Sequence, residues 1–564
     1  MFMNKFEIRK YDFDNKITER LDHNDSVKNL WPIVYIINDE KENKAYIGET
    51  TDGISRITNH LKNDKKNKLT ELRIISSDFF NKSATLDIES NLIKYMDADG
   101  YDLLNANLGI ANHTYYQKDE IYWDLFRDIW VELKKEGIVK KNLEEIDNSD
   151  LFKYSPYKSL NFDQFKSLKS IINVLVNSEN KTILIEGGAG TGKSILAIFL
   201  FKLLYTDLVD LKELDFEDLE FIELLSKFKI KFKGLKIGLV VPMTSFRNTL
   251  KKVFKNIKGL NNKMVIGPAE VANSKYDILI IDESHRLRRR VNLGAYFGSF
   301  DKAAEKLGLN KFESNELDWM LKQSRFQILF YDYGQSIKPS DIEKSKFDDL
   351  KIKNPNNILM HSLKSQFRVR GGHDYIAYID KLLNCTLQEK DKKLILPNYE
   401  FYLFDDLSKM VTQIKAKNEK PGLSRVLSGY SWKWISKGSN TKFDIIIGDV
   451  KLKWNSVSDD WINSKNSINE VGCIHTIQGY DLNYAGIIFG NEILYDKNKK
   501  EIYILKENYH DKNGKNSIKD PLELKNFILN IYKTMMSRGI MGTYIYACNK
   551  ELNEYLKKYI NVTY

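Results

Sequence analysis

The stretch Ile183 to Leu204, ILIEGGAGTGKSILAIFLFKLL, constrains the fold more than any other: an apolar run stops at eight glycine-rich residues and restarts as an apolar helix. Gly187, Gly188, Ala189, Gly190, Thr191, Gly192, Lys193 and Ser194 spell G-x-x-x-x-G-K-S between strand and helix, the context that makes such a loop a phosphate cradle. The glycines let backbone N–H groups converge on phosphate oxygens at a helix N-terminus, where the dipole also favours anions. Lys193 is expected to reach the β and γ phosphates and Ser194 to ligate Mg²⁺, so ATP and Mg²⁺ are the expected cofactors.

Further β-type runs follow the same logic. TILIEGG, IGLVVP, YDILIIDE, FQILFYD, AGIIFG and GTYIYA are apolar throughout rather than alternating, the pattern of strands buried on both faces of a parallel sheet. YDILIIDESH ends in Asp282 and Glu283, suited respectively to hold Mg²⁺ beside the loop and to polarise an attacking water. The tip of FYDYGQSIKP carries Asp332 and Gln335, where a glutamine can sense the γ-phosphate, and Arg368 and Arg538 sit where a guanidinium can stabilise a transferring phosphoryl group.

The order GGAGTGKS, IIDESH, YDYGQ, QFR, HTIQGYD and MSRG resembles the motif series of superfamily 1 helicases, closest to bacterial ATPases of unassigned function akin to the helicase domain of Schlafen proteins. The resemblance covers about residues 156–564 and implies two RecA-like domains with ATP between them. Lys193, Ser194, Asp282, Glu283 and Gln335 would come from the first, with Arg368, Gln478, Gly479 and Arg538 completing the site. Gln164, in SLNFDQFKSL, falls where such helicases place a glutamine on the adenine edge. YDYGQ lacks the glycine that usually precedes the aspartate, and no large insertion offers a strand-separating element, so the expectation is ATP hydrolysis rather than established unwinding.

Upstream, VYIINDEKENKAYIGETTDGISRITNH, Val34 to His60, reads as two short strands around a charged turn and then a helix, crowded with two tyrosines, an arginine and a histidine. With 31 tyrosines in the chain, two on a hairpin are ordinarily packing, but that leaves Arg56, Glu89 and Asn105 unexplained together. The segment from about 30 to 110 resembles the GIY-YIG nuclease family, with IVY in place of GIY and YIG intact at Tyr46, Ile47 and Gly48. The resemblance implies Tyr35, Tyr46, Arg56, His60, Glu89 and Asn105 as site residues. Glu89 would hold one Mg²⁺ on the scissile phosphate, a tyrosine or histidine would relay the proton of the attacking water, and Arg56 would neutralise developing charge. Asn105 would orient the metal shell or the backbone.

Between these parts, KDEIYWDLFRDIWVELKKEG places Ile121, Leu125, Ile129, Trp130 and Leu133 on one helical face, and Thr206 to Lys233 reads as a charged helical insertion on the surface. The expected organisation is an α/β nuclease module at 1–115, a helical connector at 116–155, and two RecA-like parallel-sheet domains at 156–350 and 351–564. A content of 42% hydrophobic and 29% charged residues describes a folded chain, and no run of about 20 apolar residues spans a membrane. The first residues mix both charge signs and lack a signal-type apolar core, and Cys385, Cys473 and Cys548 have no metal-type spacing, so a cytoplasmic setting is expected. A net charge of +10 favours a polyanionic partner, expected to be DNA rather than RNA. The expected activity is an endonuclease coupled to an ATPase motor, in antiphage defence by analogy of architecture. A repair nuclease-helicase, an ATP-gated sensor whose nuclease fold only grips nucleic acid, a homo-oligomer and a partner defence protein stay open.

Overall fold

Strand β2 (Ile33–Asp39) is apolar from Ile33 to Ile37 because both of its faces are covered there, which also explains why it shows no alternation. With β1 (Glu7–Asp12), β3 (Lys44–Thr50), β4 (Glu71–Ser76) and β5 (Asp102–Leu103) it forms a sheet in the order β1-β4-β2-β3-β5, antiparallel except for the β3/β5 pair. One face packs Ile33, Tyr35 and Ile37 with Phe13, Ile17 and Leu21. The helix Lys82–Asp99 packs on β2 and β3. Asn81 caps that helix by accepting from Ala84 N, and Gly100 ends it at φ +113°. Asp52 caps the helix Gly53–Leu61 in the same way through Ser55 N.

The structure, a computed structural model, describes residues 5–105, 115–155, 160–179, 181–206, 219–257, 259–336, 338–353, 357–366, 368–388, 390–391, 393–437, 439, 441–457, 460–511, 514–515 and 518–563. The chain divides into two compact units, Met1–Lys169 with Ile198–Lys231 and Asn256–Leu260, and Ser170–Ala197 with Phe232–Lys255 and Asn261–Tyr564. In the first, the helix Trp123–Lys135 buries Leu125, Ile129, Trp130 and Leu133 as the sequence pattern implies. Of the predicted surface segment Thr206 to Lys233, residues 207–218 lie outside the described residues, and the helix Leu219–Lys231 buries one face through Phe221, Leu225 and Phe228.

The second unit carries two sheets. β6 (Lys181–Gly187), β7 (Ile237–Val240), β8 (Val265–Ile266), β9 (Tyr276–Ile281), β10 (Ser324–Tyr331) and β11 (Ile358–Leu363) are all parallel, in the order β11-β6-β10-β9-β7-β8. The second sheet is built from β12 (Glu400–Phe404), β13 (Ser424–Ser428), β14 (Ile445–Ile447), β15 (Val450–Trp454), β16 (Glu470–Gly472), β17 (Leu482–Phe489), β20 (Gly539–Ala547) and β21 (Asn561–Thr563), with β18 (Ile493–Asp496) and β19 (Glu501–Ile504) as a separate hairpin. Its order is β14-β15-β16-β13-β17-β20-β12-β21, and only the β14/β15 pair is antiparallel. The order jumps from β6 to β10 in the first sheet, so the loop after β6 opens at a switch point where parallel sheets bind ligands.

Register in the nuclease-like sheet depends on one close approach. Tyr35 on β2 faces Gly48 on β3, and a Cβ built on Gly48 falls inside the Tyr35 phenol. Gly48→Ala therefore forces the buried ring off its rotamer, with an expected loss of about 2 kcal/mol. Hydrogen exchange of the β2 and β3 amides checks it; unchanged protection would refute the packing account.

Candidate active sites

The β2/β3 hairpin and the helix after it bring four of the predicted nuclease residues together. Tyr35 Oη lies 2.8 Å from His60 Nε2, and the Tyr46 ring centroid lies 4.6 Å from that of His60 and 6.3 Å from that of Tyr35. Arg56, exposed on the helix Gly53–Leu61, hydrogen-bonds Tyr35, and the Glu89 charge acts on the same phenol. Burial, followed by the neighbouring Tyr46, pushes the Tyr35 phenol well above its ordinary range. His60 moves the other way, down to about 3, through burial first and then through the cations Lys66 and Arg56. Glu89 is half-buried on the helix Lys82–Asp99. A single carboxylate beside a guanidinium and a phenol suits a cation that takes its remaining ligands from phosphate and water.

Asn105 does a different job from the other five. Its Oδ1 accepts from Ile47 N at 2.9 Å and its Nδ2 donates to Ile47 O at 2.6 Å, so the side chain continues the β5 pairing along the free edge of β3. Of the two roles open to it, the contact is with the backbone of the YIG segment.

In the second unit the phosphate loop is held from several sides. Gly190 and Gly192 have φ +80° and +79°, which only glycine adopts without strain. Gly187 is shut against Thr191, whose Oγ1 donates to Gly188 O at 3.0 Å, while Gly188 faces open space. Gln366 Nε2 donates to Ala189 O, and the side chains of Gln366 and Arg368 crowd Gly190. Lys193 Nζ donates to Gly187 O at 2.7 Å, Gly188 O at 2.9 Å and Asp332 Oδ2 at 3.3 Å. Gln335 Nε2 donates to Asp332 Oδ2 at 2.6 Å, and its Oε1 accepts from Arg538 Nη2 at 3.2 Å. Arg538 Nη1 also donates to Tyr480 O at 3.2 Å, so a chain of polar contacts runs from the loop to the second sheet.

Asp282 and Glu283 end β9 beside this chain. Burial, then the Glu283 charge, pushes the Asp282 carboxyl up; the Ser194 hydroxyl works against that. Asp282 Oδ2 is buried without a hydrogen-bond partner, and an orphaned carboxylate oxygen next to a serine hydroxyl fits Mg²⁺. Burial also opposes the Glu283 charge, but His285, Lys193 and Arg538 outweigh it and hold that carboxyl below its ordinary range. His285 Nε2 lies 2.9 Å from Glu283 Oε2, and its Nδ1 accepts from Asp332 N at 3.2 Å. Among the described residues no group of three or more His, Cys, Asp and Glu is arranged around one cation, in keeping with sites that hold one carboxylate each.

Three predicted residues stand apart from the phosphate loop. Gln164 Oε1 accepts from Asn161 N at 3.0 Å while Asn161 Oδ1 accepts from Gln164 N at 3.0 Å, a reciprocal cap on the helix Phe162–Asn177. Gly479, at φ +84°, lies against the Phe246 ring. Gln478 Oε1 accepts from Arg286 Nη2 at 3.1 Å, and Tyr480 Oη contacts Ser245 and Thr249 at 3.0 and 3.1 Å, tying the HTIQGYD loop to the first sheet's side. There Thr244, Ser245, Arg286, Arg288, Lys338 and His475 line a cavity of about 210 Å³. Sequence reasoning missed Gln366, His285 and Arg286 as neighbours of the site, and left Asp332 without a role. Gln366 and His285 lie inside the QFR and IIDESH motifs but were given no role, and Arg286 meets its partners Asp341 and Gln478 from distant segments.

Against this geometry, the family model of the Schlafen group 3 DNA/RNA helicase domain matches residues 180–549. The chain belongs to that family. A second model, the GIY-YIG catalytic domain, matches residues 32–102, so nuclease-type and helicase-type modules share one chain. The uncharacterized protein YPL245W of Saccharomyces cerevisiae is 26% identical over 410 residues, covering 66% of this chain and 83% of its own. Among solved structures, S. cerevisiae Dbp5 bound to RNA and ADP BeF3 matches at 11% identity and a TM-score of 0.30, covering 73% of this chain and 92% of its own. The Pif1 helicase from Bacteroides in complex with ADP-AlF3 and single-stranded DNA matches at 12% and 0.25, covering 67% and 91%. The PRRSV helicase matches at 11% and 0.28, covering 69% of this chain and 56% of its own, so the chain spans little more than half of that one.

Burial of a neutral histidine has a consequence for pH. Between about 6.5 and 3 the unfolded chain protonates His60 and the folded one does not, so His60 subtracts stability as pH falls through that window. The His60 ring signals should stay those of a neutral imidazole from pH 8 down to about 5. A titration midpoint near 6.5 in the folded protein would contradict the buried pairing with Tyr35.

Proposed function

We propose that the chain is a metal-dependent endonuclease joined to an ATP-hydrolysing motor that acts on nucleic acid, DNA before RNA, in antiphage defence. The observation that carries this reading is the cluster of Tyr35, Tyr46, Arg56, His60 and Glu89 in the same chain as a complete phosphate loop with its strand-end acids. The motor's track is supported by the cavity lined by Ser245, Arg286, Arg288, Lys338 and Asp341, where Asp341 pairs with Arg286 while Arg288 and Lys338 add positive charge suited to phosphates of a single strand. The net charge of +10 supports a polyanion as partner.

In the nuclease module, Mg²⁺ on Glu89 supplies the Lewis acid that draws charge from the scissile phosphate. A histidine held down at about 3 by burial and two cations is a poor proton acceptor, which favours a tyrosine. Tyr35 is fully buried and engaged with His60, leaving Tyr46 as the base. Tyr46, having lost its phenol proton to solvent, takes the proton of the attacking water, whose oxygen bonds to phosphorus as the opposite P–O bond breaks and the leaving oxygen takes a proton from solvent water. Arg56 balances the added negative charge.

In the motor, Lys193 exchanges its loop carbonyls and Asp332 for the β and γ phosphates, and Ser194 and Asp282 would hold Mg²⁺, which would supply further positive charge there. Glu283, kept ionised by its cationic neighbours, orients the attacking water, Gln335 reads the γ-phosphate, and Arg368 and Arg538 stabilise the charge in flight.

Crossed single mutants test the two halves. Glu89→Ala should abolish cleavage in Mg²⁺ on DNA and RNA substrates while ATP turnover persists; Lys193→Ala should do the reverse on a short substrate and remove any ATP dependence on long ones. Continued cutting by Glu89→Ala would make the N-terminal module a grip rather than a blade, and the sensor reading would replace the nuclease. Arg538→Ala should lower ATPase kcat by roughly 10³ with nucleotide binding retained. Equal losses in binding and turnover would mark that arginine as structural. Plating efficiency of phages on bacteria expressing wild type, Glu89→Ala or Lys193→Ala tests the defence role, which fails if all three plate alike.

A further inference from the structure

Lys62, Lys65, Lys66 and Lys68 form a lysine-rich run after the helix Gly53–Leu61, the kind of sequence that ordinarily lies in water. Three of them do. Lys66 is turned inward and only 6% exposed, its backbone N–H bonded to Asn63 O at 3.1 Å and to Asn63 Oδ1 at 3.2 Å. Its Nζ stands 3.8 Å from the centroid of the Tyr46 ring. A buried ammonium is costly unless something favours its charge, and a tyrosine π-face does so. Tyr35 and His60 also stand beside the Tyr46 ring, with the Arg56 and Glu89 charges acting on Tyr35 and the Arg56 and Lys66 charges on His60.

Resting on the nuclease reading, we propose that Lys66 is a positioning residue of that site, acting through Tyr46. Its ammonium lies against the phenol ring and favours negative charge on the phenol oxygen as that oxygen meets the proton of the attacking water. The same cation opposes a second positive charge on His60, so the proton is steered to the tyrosine and not to the imidazole. No bond to Lys66 forms or breaks, and its charge is the same before and after the step. A structural lysine would need only its methylene stem to fill the space; an electrostatic one needs the charge at that distance.

The test uses the full chain, a short DNA duplex with Mg²⁺, and two variants. Lys66→Met keeps the length and apolar stem and loses the charge; Lys66→Arg keeps a cation that stacks on an aromatic face. Lys66→Met should lower cleavage kcat roughly thirtyfold at unchanged KM, with Lys66→Arg recovering most of it. Ring resonances of labelled histidine give a readout apart from cleavage: His60 should titrate at higher pH in Lys66→Met than in wild type or Lys66→Arg. A kcat for Lys66→Met within about twofold of wild type, or equal losses in both variants, overturns the proposal. If the wild type cuts nothing, the nuclease reading falls and the catalytic role of Lys66 falls with it, while a moved His60 still upholds the electrostatic pairing. If His60 does not move, the pairing itself is wrong, whatever the cleavage shows.

Discussion

With Gly187 O, Gly188 O and the Asp332 carboxylate around it, the Lys193 ammonium is buried and fully occupied, and the rest of the phosphate site is arranged by that occupation. A buried cation must have partners, so any phosphate that takes Lys193 also releases Asp332. Asp332 is held in turn by Gln335 and, through its backbone N–H, by His285, while Gln335 is held by Arg538. Asp332 Oδ2 is shared, accepting from both Lys193 Nζ and Gln335 Nε2, so the polar chain continues from the loop through Arg538 to the Tyr480 carbonyl of the HTIQGYD loop. In the motor reading this is the physical route by which phosphate occupancy reaches the cavity beside Ser245 and Arg286.

The nuclease-like sheet has an equivalent dependence in the pairing of Tyr35 with Gly48. A side chain at position 48 would lift the ring, and the ring carries the hydroxyl that meets His60. Asn105 secures the same strand from its open edge by copying, with one side chain, the two bonds another strand would have made. Packing and polar geometry are thus the same constraint seen from the two sides of β3.

What the sequence made legible was local. The glycine spacing, the strand before it and the helix after it are contiguous, and Tyr35 and Tyr46 fall on the two strands of one hairpin, so the loop, the hairpin and the parallel sheets could be read directly. Gln366 reaches Ala189, and Arg286 reaches Gln478, across long separations that no periodicity reports. The buried face of the helix at Phe221, Leu225 and Phe228 went unread among its charged positions, and Lys66 was passed over because its neighbours in the run are solvated. Both omissions have one cause: average polarity says little about which single side chain turns inward.

Economy in carboxylates links the two halves. Where a protein supplies four or more oxygens, a divalent cation is held permanently; where it supplies one, the cation keeps its water and stays weakly bound until phosphate oxygens complete the shell. In the reading proposed here, Glu89 in one module and Asp282 with Ser194 in the other would be of the second kind, and the orphaned Asp282 oxygen fits a ligand set that is incomplete by itself. Each site would then acquire its metal together with its substrate. In that reading the positive groups, Arg56 and Lys66 in one site and Lys193 and Arg538 in the other, would favour the incoming phosphate.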